Sequence, residues 1–189
     1  MGNLNLKPEP FLGGYHEDFD GVSLREVDDV SLISLALPLN GEAPATAAIE
    51  SNFGVVIPVD GYSSLSTDGS TRVVRVARDQ VFVSFPNGGV NPEAKIANKL
   101  DGTAYLTDQS HVWVMLEITG RRSRSVLERI CPIDLHAETF AIGQMARTSM
   151  EHLGAIVVRT DDDTFLLMSA SSSAFSFLHA VETSITNVI

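Results

Sequence analysis

The chain has 189 residues and a mass of 20.4 kDa, and 44% of its residues are hydrophobic. A chain of this length can bury about 70% of its unfolded surface, enough for one sizeable core or two small packed lobes. Its net charge of -11 argues against a nucleic acid partner, which would require a clustered positive face. A single cysteine excludes an internal disulfide, the first residues lack a secretory signal, and no apolar run approaches the roughly 20 residues of a membrane-spanning helix. The sequence therefore predicts a cytoplasmic protein with neither a membrane nor a nucleic acid partner.

The first part of the chain combines an irregular stretch with the first regular elements. Residues 1–22 mix prolines and glycines with the acidic sequence HEDFD and show no hydrophobic period, which predicts an extended N-terminal arm. Residues 30–37 (VSLISLAL) are dense in apolar residues and stop before Pro38, which is typical of a buried strand. A helix is predicted next, because Pro44 suits a first turn and Gly54 suits a left-handed C-terminal cap.

A loop, a hairpin and a second helix follow. Residues 55–70 are polar and irregular, which indicates a long surface loop. Residues 72–76 (RVVRV) and 81–85 (VFVSF) are separated by four residues, which predicts a tight antiparallel hairpin. Asn91-Pro92 provides an N-cap and a first-turn proline for a helix that ends at Asp101-Gly102.

A short strand closes this unit, and the same order of elements then begins again. The remaining predicted elements are strands at 104–106, 111–118, within 145–159 and at 164–168, and helices at 123–130 and 172–185. This doubled split β-α-β order predicts an α+β fold of two ferredoxin-like lobes whose sheets share a core. The predicted organisation is thus an arm at 1–22 and a single domain at 23–189, built of pseudo-repeats at about 23–107 and 108–189.

The only cysteine, Cys131, lies five residues before His136 in the stretch RICPIDLHAETF. A nucleophilic cysteine needs a base brought close in space, and Pro132 followed by the extended run IDL separates these two residues. Ser123 is the predicted N-cap of a short helix whose apolar face includes Cys131, and Pro132 ends that helix. We therefore expect Cys131 to be a buried part of the scaffold with an inert thiol.

The other candidate sites have simpler explanations. His16 and the acidic residues after it fit no standard zinc or calcium loop, and the triplet Asp161–Asp163 is typical of a solvated turn. The remaining histidines stand singly, and no glycine-rich phosphate motif is present. We therefore predict no catalytic, cofactor-binding or metal-binding residue in this chain. The arginines at 121, 122 and 124 are either a solvated helix start or a contact with an acidic partner or with a ligand's carboxylate or phosphate, and we expect them and the arm to lie at interfaces.

The last third of the chain resembles a known family. A helix carrying Leu127-Glu128, the run C-P-I-D-L-H, the segment ETFAIGQMARTSMEHLGAIVVR and the serine-rich start of the last helix (SASSSAFSFLHAVE) come in the order found in the γ subunit of heterotetrameric sarcosine oxidase. The resemblance is most specific over residues 124–185. Over residues 1–120 it is one of length and architecture.

This resemblance implies an accessory chain in an αβγδ complex that oxidises the N-methyl group of sarcosine and releases glycine, in one-carbon metabolism. The family's FAD, FMN and NAD are carried by the large subunits, and tetrahydrofolate chemistry belongs to an α-subunit domain similar to glycine-cleavage aminomethyltransferase. The γ chain itself is similar to that folate-binding fold. The resemblance assigns no catalytic residue to this chain, so the expected partners are the α, β and δ subunits and the expected cofactors lie outside it.

Two alternatives stay open. The chain could be a stand-alone folate-binding protein of one-carbon transfer, since the fold that it resembles binds tetrahydrofolate. It could also be the equivalent subunit of a related dehydrogenase that acts on another N-methyl amino acid, such as N-methylglutamate or dimethylglycine.

Overall fold

The computed structural model describes residues 9–87, 89 and 91–189; residues 1–8 of the predicted arm, Gly88 and Val90 lie outside this range. Within it the chain forms strands and helices in the following order: β1 (His16–Phe19), β2 (Val22–Glu26), β3 (Val30–Ala36), α1 (Glu42–Phe53), β4 (Ser63–Leu65), β5 (Arg72–Ala77), β6 (Gln80–Pro86), α2 (Pro92–Leu100), β7 (Tyr105–Asp108), β8 (Trp113–Thr119), α3 (Ser123–Glu128), β9 (Met145–Met150), β10 (Leu153–Asp161), β11 (Thr164–Ala170) and α4 (Ala174–Thr186). No helix in the described range is long and apolar enough to cross a bilayer.

The first lobe has the predicted β-α-β-β-α-β order. Its sheet runs β4-β5-β6-β3-β7, and every neighbouring pair is antiparallel. The hairpin β5–β6, the Asn91 cap and the left-handed Gly54 cap are all confirmed. Strands β3 and β6 contain runs of consecutive buried residues because both faces of this sheet are covered. The predicted loop at 55–70 contains one short element, the edge strand β4.

The second lobe differs from the prediction in the origin of one strand. Its sheet runs β1-β2-β8-β11-β10-β9, so β2 occupies the place beside β8 that the last strand of a split β-α-β unit normally takes. Residues 22–26, assigned from the sequence largely to the first pseudo-repeat, therefore belong to the sheet of the second. The physical reason is that Val22 and Leu24 alternate with polar residues and bury their side chains in the core of the second lobe.

The N-terminal segment is also bound more closely to the second lobe than the predicted extended arm would be. Strand β1 pairs with β2 from His16↔Arg25 to Phe19↔Val22. Upstream of it, the amides of Leu12 and Gly14 donate to the carboxylate of Glu26 at 3.1 and 2.9 Å, and this side chain is only 5% exposed. The carboxylate thus fixes residues 12–14 against the lobe, which the irregular sequence did not indicate.

Four layers result, with the helices outside and the two sheets face to face. One core lies between the first sheet and α1 and α2, and another between the second sheet and α3 and α4. A third lies between the sheets and confirms that the lobes share a core; it contains Leu32, Val74, Val76, Phe82, Met115, Met145, Ile156, Val158 and Met168. The layer order means that the connections between the lobes must cross at the ends of the sheets.

The two sheets are also joined by hydrogen bonds along one side. The Ser63 amide donates to the Gly143 carbonyl at 2.6 Å, and the Met145 amide donates to the Gly61 carbonyl at 2.8 Å, on either side of a bridge between Tyr62 and Gln144. We call this pairing of residues 61–63 with 143–145 the sheet junction. It brings the edge strands β4 and β9 to the same side of the molecule.

The helix cap predicted at Ser123 is wrong. Arg122 occupies the N-cap position of α3, and Ser123 is its first helical residue. The Ser123 hydroxyl is fully buried and donates to the Asp163 carbonyl at 2.9 Å. A serine before a helix satisfies a cap pattern in sequence, but here a tertiary acceptor takes its hydroxyl.

Candidate functional site: an acidic cavity between the lobes

A cavity of about 620 Å³ lies at one end of the two sheets. Its walls include both connections between the lobes: residues 27–29, which run from β2 to β3, and residues 109–112, which run from β7 to β8. Residues from the N-terminal segment and from the start of α2 complete it. Cavities of roughly 300–1,000 Å³ at a boundary between lobes are the usual form of small-molecule sites.

The inner wall of the cavity is apolar and aromatic. Trp113 lies edge-on against Phe82, with ring centroids 5.6 Å apart, and Met115 lies two residues along the same strand. Near the mouth, Phe11 contacts the His111 ring edge-to-face at 6.4 Å. The indole N–H of Trp113 is buried and finds no hydrogen-bond partner within the described residues. Trp113 is also the only tryptophan of the chain, so its fluorescence reports on this wall.

The charged groups around the cavity are carboxylates. Glu26 is buried and fully engaged by backbone amides, whereas Glu9, Asp28 and Asp108 are exposed; we call these three the rim carboxylates. Asp108 accepts a hydrogen bond from the Ser110 amide at 2.9 Å. No rim carboxylate forms an ion pair within residues 9–87, 89 and 91–189, and no lysine or arginine from that range lines the cavity. The cavity therefore combines an apolar interior with a negative mouth.

Cys131 and His136 each have a different partner. Cys131 is 5% exposed in the core of the second lobe, as predicted, and its Sγ lies 3.9 Å from the Thr148 hydroxyl. His136 is exposed, and its Nδ1 accepts a long hydrogen bond from the Glu138 amide. Its own amide donates to Asp134 at 2.9 Å, and this bond holds the pKa of the Asp134 carboxyl below its usual value. The hydrogen bonds of the stretch shape a turn, and the polar partner of the thiol in the described part of the chain is the Thr148 hydroxyl.

Replacing Cys131 with serine is expected to lower the free energy of unfolding by about 1–3 kcal/mol, because the more polar hydroxyl enters an apolar site. Thr148 can partly satisfy this hydroxyl, which favours the lower end of the range. Chemical denaturation measures the change. A variant as stable as the wild type would contradict the scaffold role.

The arginines at the start of α3 are bound by the chain itself. Arg121 and Arg122 lie 3.4 and 3.3 Å from the two oxygens of Asp20, and Arg124 donates to the Asp162 carbonyl at 3.4 Å. Arg122 also donates to the Val188 carbonyl at 3.3 Å. The cluster thus has intramolecular acceptors that its sequence did not reveal, and its interface role stays a prediction.

The remaining sequence candidates are dispersed. His16 lies 3.7 Å from Asp18, with both side chains exposed, and Asp161–Asp163 forms the turn between β10 and β11. Three histidines, His111, His152 and His179, are exposed. Among the described residues no three His, Cys, Asp or Glu side chains are grouped closely enough to hold a metal ion.

One polar contact was missed by the sequence analysis. The Tyr15 hydroxyl lies 2.7 Å from a Glu182 carboxylate oxygen and 2.9 Å from one of Glu17. Burial, with hydrogen bonds to these two carboxylates, raises the pKa of Tyr15 above its ordinary value. A phenol has one proton to donate, so it bonds one carboxylate at a time and links the N-terminal segment to α4.

Comparisons with known proteins show which proteins the chain is similar to. No family model matches it. It is 24% identical over 160 residues to the sarcosine oxidase subunit gamma of Corynebacterium sp. (strain P-1), covering 84% of this chain and 77% of that protein.

Two solved structures show the same fold. A chain of the heterotetrameric sarcosine oxidase from Corynebacterium sp. U-96 matches with a TM-score of 0.75 and 22% identity, over 88% of this chain and 85% of that one. The glycine cleavage system aminomethyltransferase T from Bartonella henselae matches with a TM-score of 0.59 and 13% identity over 89% of this chain, which spans about half (53%) of that enzyme. Because a sequence match and a fold match both cover most of its length, we conclude that the chain is homologous to the gamma subunit of sarcosine oxidase.

Proposed function

We propose that the chain is the accessory γ subunit of a flavin-dependent heterotetrameric sarcosine oxidase of the cytoplasm, and supports oxidative demethylation of sarcosine to glycine without catalytic residues of its own. The observation that carries this proposal is the match to a γ subunit along 84% of the chain. Its partners are the α, β and δ subunits, and FAD, FMN, NAD and tetrahydrofolate are bound elsewhere in the complex.

The sheet junction supports an assembly role. Around it lie Val56, Val59, Leu65 and Ile142, which are each about half exposed or more. The Tyr62 amide donates to the Val59 carbonyl at 3.2 Å, and Ile142 directly precedes Gly143. Val59 and Ile142 therefore lie beside the starts of both edge strands. Exposed apolar residues beside open strand edges favour association with another chain. We propose that another subunit of the complex covers this surface.

The double variant Val59→Glu/Ile142→Glu is expected to reduce recovery of the large subunits with the tagged chain by about tenfold or more, because burying unpaired carboxylates costs several kcal/mol. The melting temperature of the variant chain should change little, since both side chains are exposed. Leu39→Glu is the matched control, because Leu39 is 93% exposed and lies outside the sheet junction. Equal loss of recovery in the control, or none in the double variant, would contradict the proposed contact.

The function itself is tested by tagging the chain at its C-terminus in its native cell and purifying it gently. We expect large subunits with a yellow flavin spectrum and sarcosine-dependent peroxide production. Turnover with N-methylglutamate or dimethylglycine in place of sarcosine would indicate the alternative dehydrogenase. A colourless chain that elutes alone would contradict the accessory role.

The stand-alone folate-binding alternative gains support from the fold match to an aminomethyltransferase but not from the cavity. Tetrahydrofolate carries glutamate carboxylates, which the rim carboxylates would repel. Micromolar binding of tetrahydrofolate to the isolated chain would nevertheless establish this alternative.

A further inference from the structure

The cavity between the lobes has the size and shape of a ligand site that the accessory role does not use. Its volume of about 620 Å³ is within the range of small-molecule pockets. Both lobe connections line it, so a bound molecule would contact segments that lead into both sheets.

The charges around the mouth determine the sign of the charge that a ligand should carry. The rim carboxylates Glu9, Asp28 and Asp108 are without ion-pair partners in the described part of the chain. A concave site lined by one sign of charge focuses the field and concentrates ions of the opposite sign. The net charge of -11 on the whole chain adds to this attraction. An anion would meet repulsion, and no lysine or arginine of the described range lines the cavity to pair with it.

The residues of the interior determine which uncharged part the ligand should have. Phe11, Trp113 and Met115 offer apolar surface, and the faces of aromatic rings attract cations as well as apolar groups. A ligand with an apolar or aromatic body and a positively charged end would satisfy both parts of the cavity at once. We propose that this cavity binds a small organic cation, with a protonated amine or amidinium at the rim carboxylates and its apolar body against Trp113.

The test uses benzamidine, benzoate and benzyl alcohol, which share a phenyl ring and carry positive, negative and no charge. Each is titrated into the full-length chain while the fluorescence of Trp113, the single tryptophan, is followed. We expect a saturable change with benzamidine, at least roughly tenfold weaker binding of benzyl alcohol and none of benzoate, and weaker benzamidine binding as salt is raised. The chain is tested alone, so the result does not depend on whether it assembles with other subunits.

The variant Asp28→Asn/Asp108→Asn should weaken benzamidine binding by roughly tenfold, because each rim ion pair contributes modestly at an exposed position. The variant Glu50→Gln/Glu138→Gln removes the same charge from exposed positions outside the cavity and should bind as the wild type does. Equal binding of all three probes, binding of none, or equal weakening by both variants would overturn the proposal. If the cavity variant does not fold, the salt series on the wild-type chain is the test: benzamidine binding that does not weaken as salt is raised would overturn the proposal.

Discussion

Replacing Gly120 with alanine is expected to destabilise the chain by about 3–5 kcal/mol, the sum of a strained backbone and an overpacked contact. Gly120 has φ +118°, and an added Cβ would lie 2.4 Å from the Gly21 carbonyl oxygen. This oxygen also accepts from the Arg122 amide, while the Gly120 amide donates to the Asp163 carbonyl. The substitution would therefore push apart the β1–β2 turn, the β10–β11 turn and the start of α3.

Chemical denaturation of the isolated chain measures this loss. Gly154→Ala is the matched control, because Gly154 lies in β10 with no heavy atom within 4 Å of an added Cβ. The control should change the free energy of unfolding by less than about 1 kcal/mol. Similar losses in the two variants would mean that the close approach of residues 21 and 120 is not what stabilises this corner.

Replacing Arg159 with methionine is expected to cost about 3 kcal/mol or more, since hydrogen bonds from a charged donor contribute roughly 1.5–3 kcal/mol each and are not additive. The guanidinium is almost fully buried and donates to four backbone carbonyls, those of Ala137, Phe140, Asp161 and Asp162, at 2.9 to 3.3 Å. Its ion pair with the exposed side chain of Asp162, at 3.4 Å, adds little. Methionine fills similar space and leaves the carbonyls without their donor.

The loss of stability should appear first as local opening of the backbone near Arg159. The carbonyls of Ala137 and Phe140 belong to the segment that leads into the sheet junction, so amide exchange at Gly143 and Gln144 should accelerate in the variant. Arg147→Met is the control, because Arg147 is exposed on the edge strand β9. Unchanged exchange at the sheet junction together with unchanged stability would show that the buried guanidinium is dispensable.

The sequence predicted an interface role for the arginine cluster but gave no indication of the exposed apolar surface around the sheet junction. Asp20 and Arg122 are far apart in the chain, yet their ion pair supplies a partner that the sequence of the arginine cluster lacked. Val59 and Ile142 lie in stretches without any binding motif, and only the pairing of 61–63 with 143–145 brings these two stretches together. Interface residues of this kind have no local signal, because single exposed apolar residues are common on every surface.

The sequence by itself determined the elements whose causes are local. The hairpin β5–β6, the helix α2 between Asn91 and Asp101, and the turn at Asp161–Asp163 follow from side-chain period, caps and turn residues within a few positions. Their order was sufficient to predict two similar lobes. The burial of Cys131 was also predictable, because it follows the apolar residues Val126, Leu127 and Ile130 in the chain. The predicted helix end at Pro132 is wrong, since α3 ends at Glu128 and Cys131 lies beyond it.

Only the tertiary structure decided which strand completes the second lobe, what holds the N-terminal segment, and where the cavity lies. The strand β2 pairs with β8 more than 85 residues away, Glu26 binds the amides of Leu12 and Gly14, and the rim carboxylates come from three separate segments. Short polar stretches can pair with many alternative parts of the chain equally well. The choice among them depends on which surfaces remain open after the two large sheets have packed, and that information is spread over the whole chain rather than written in any one segment.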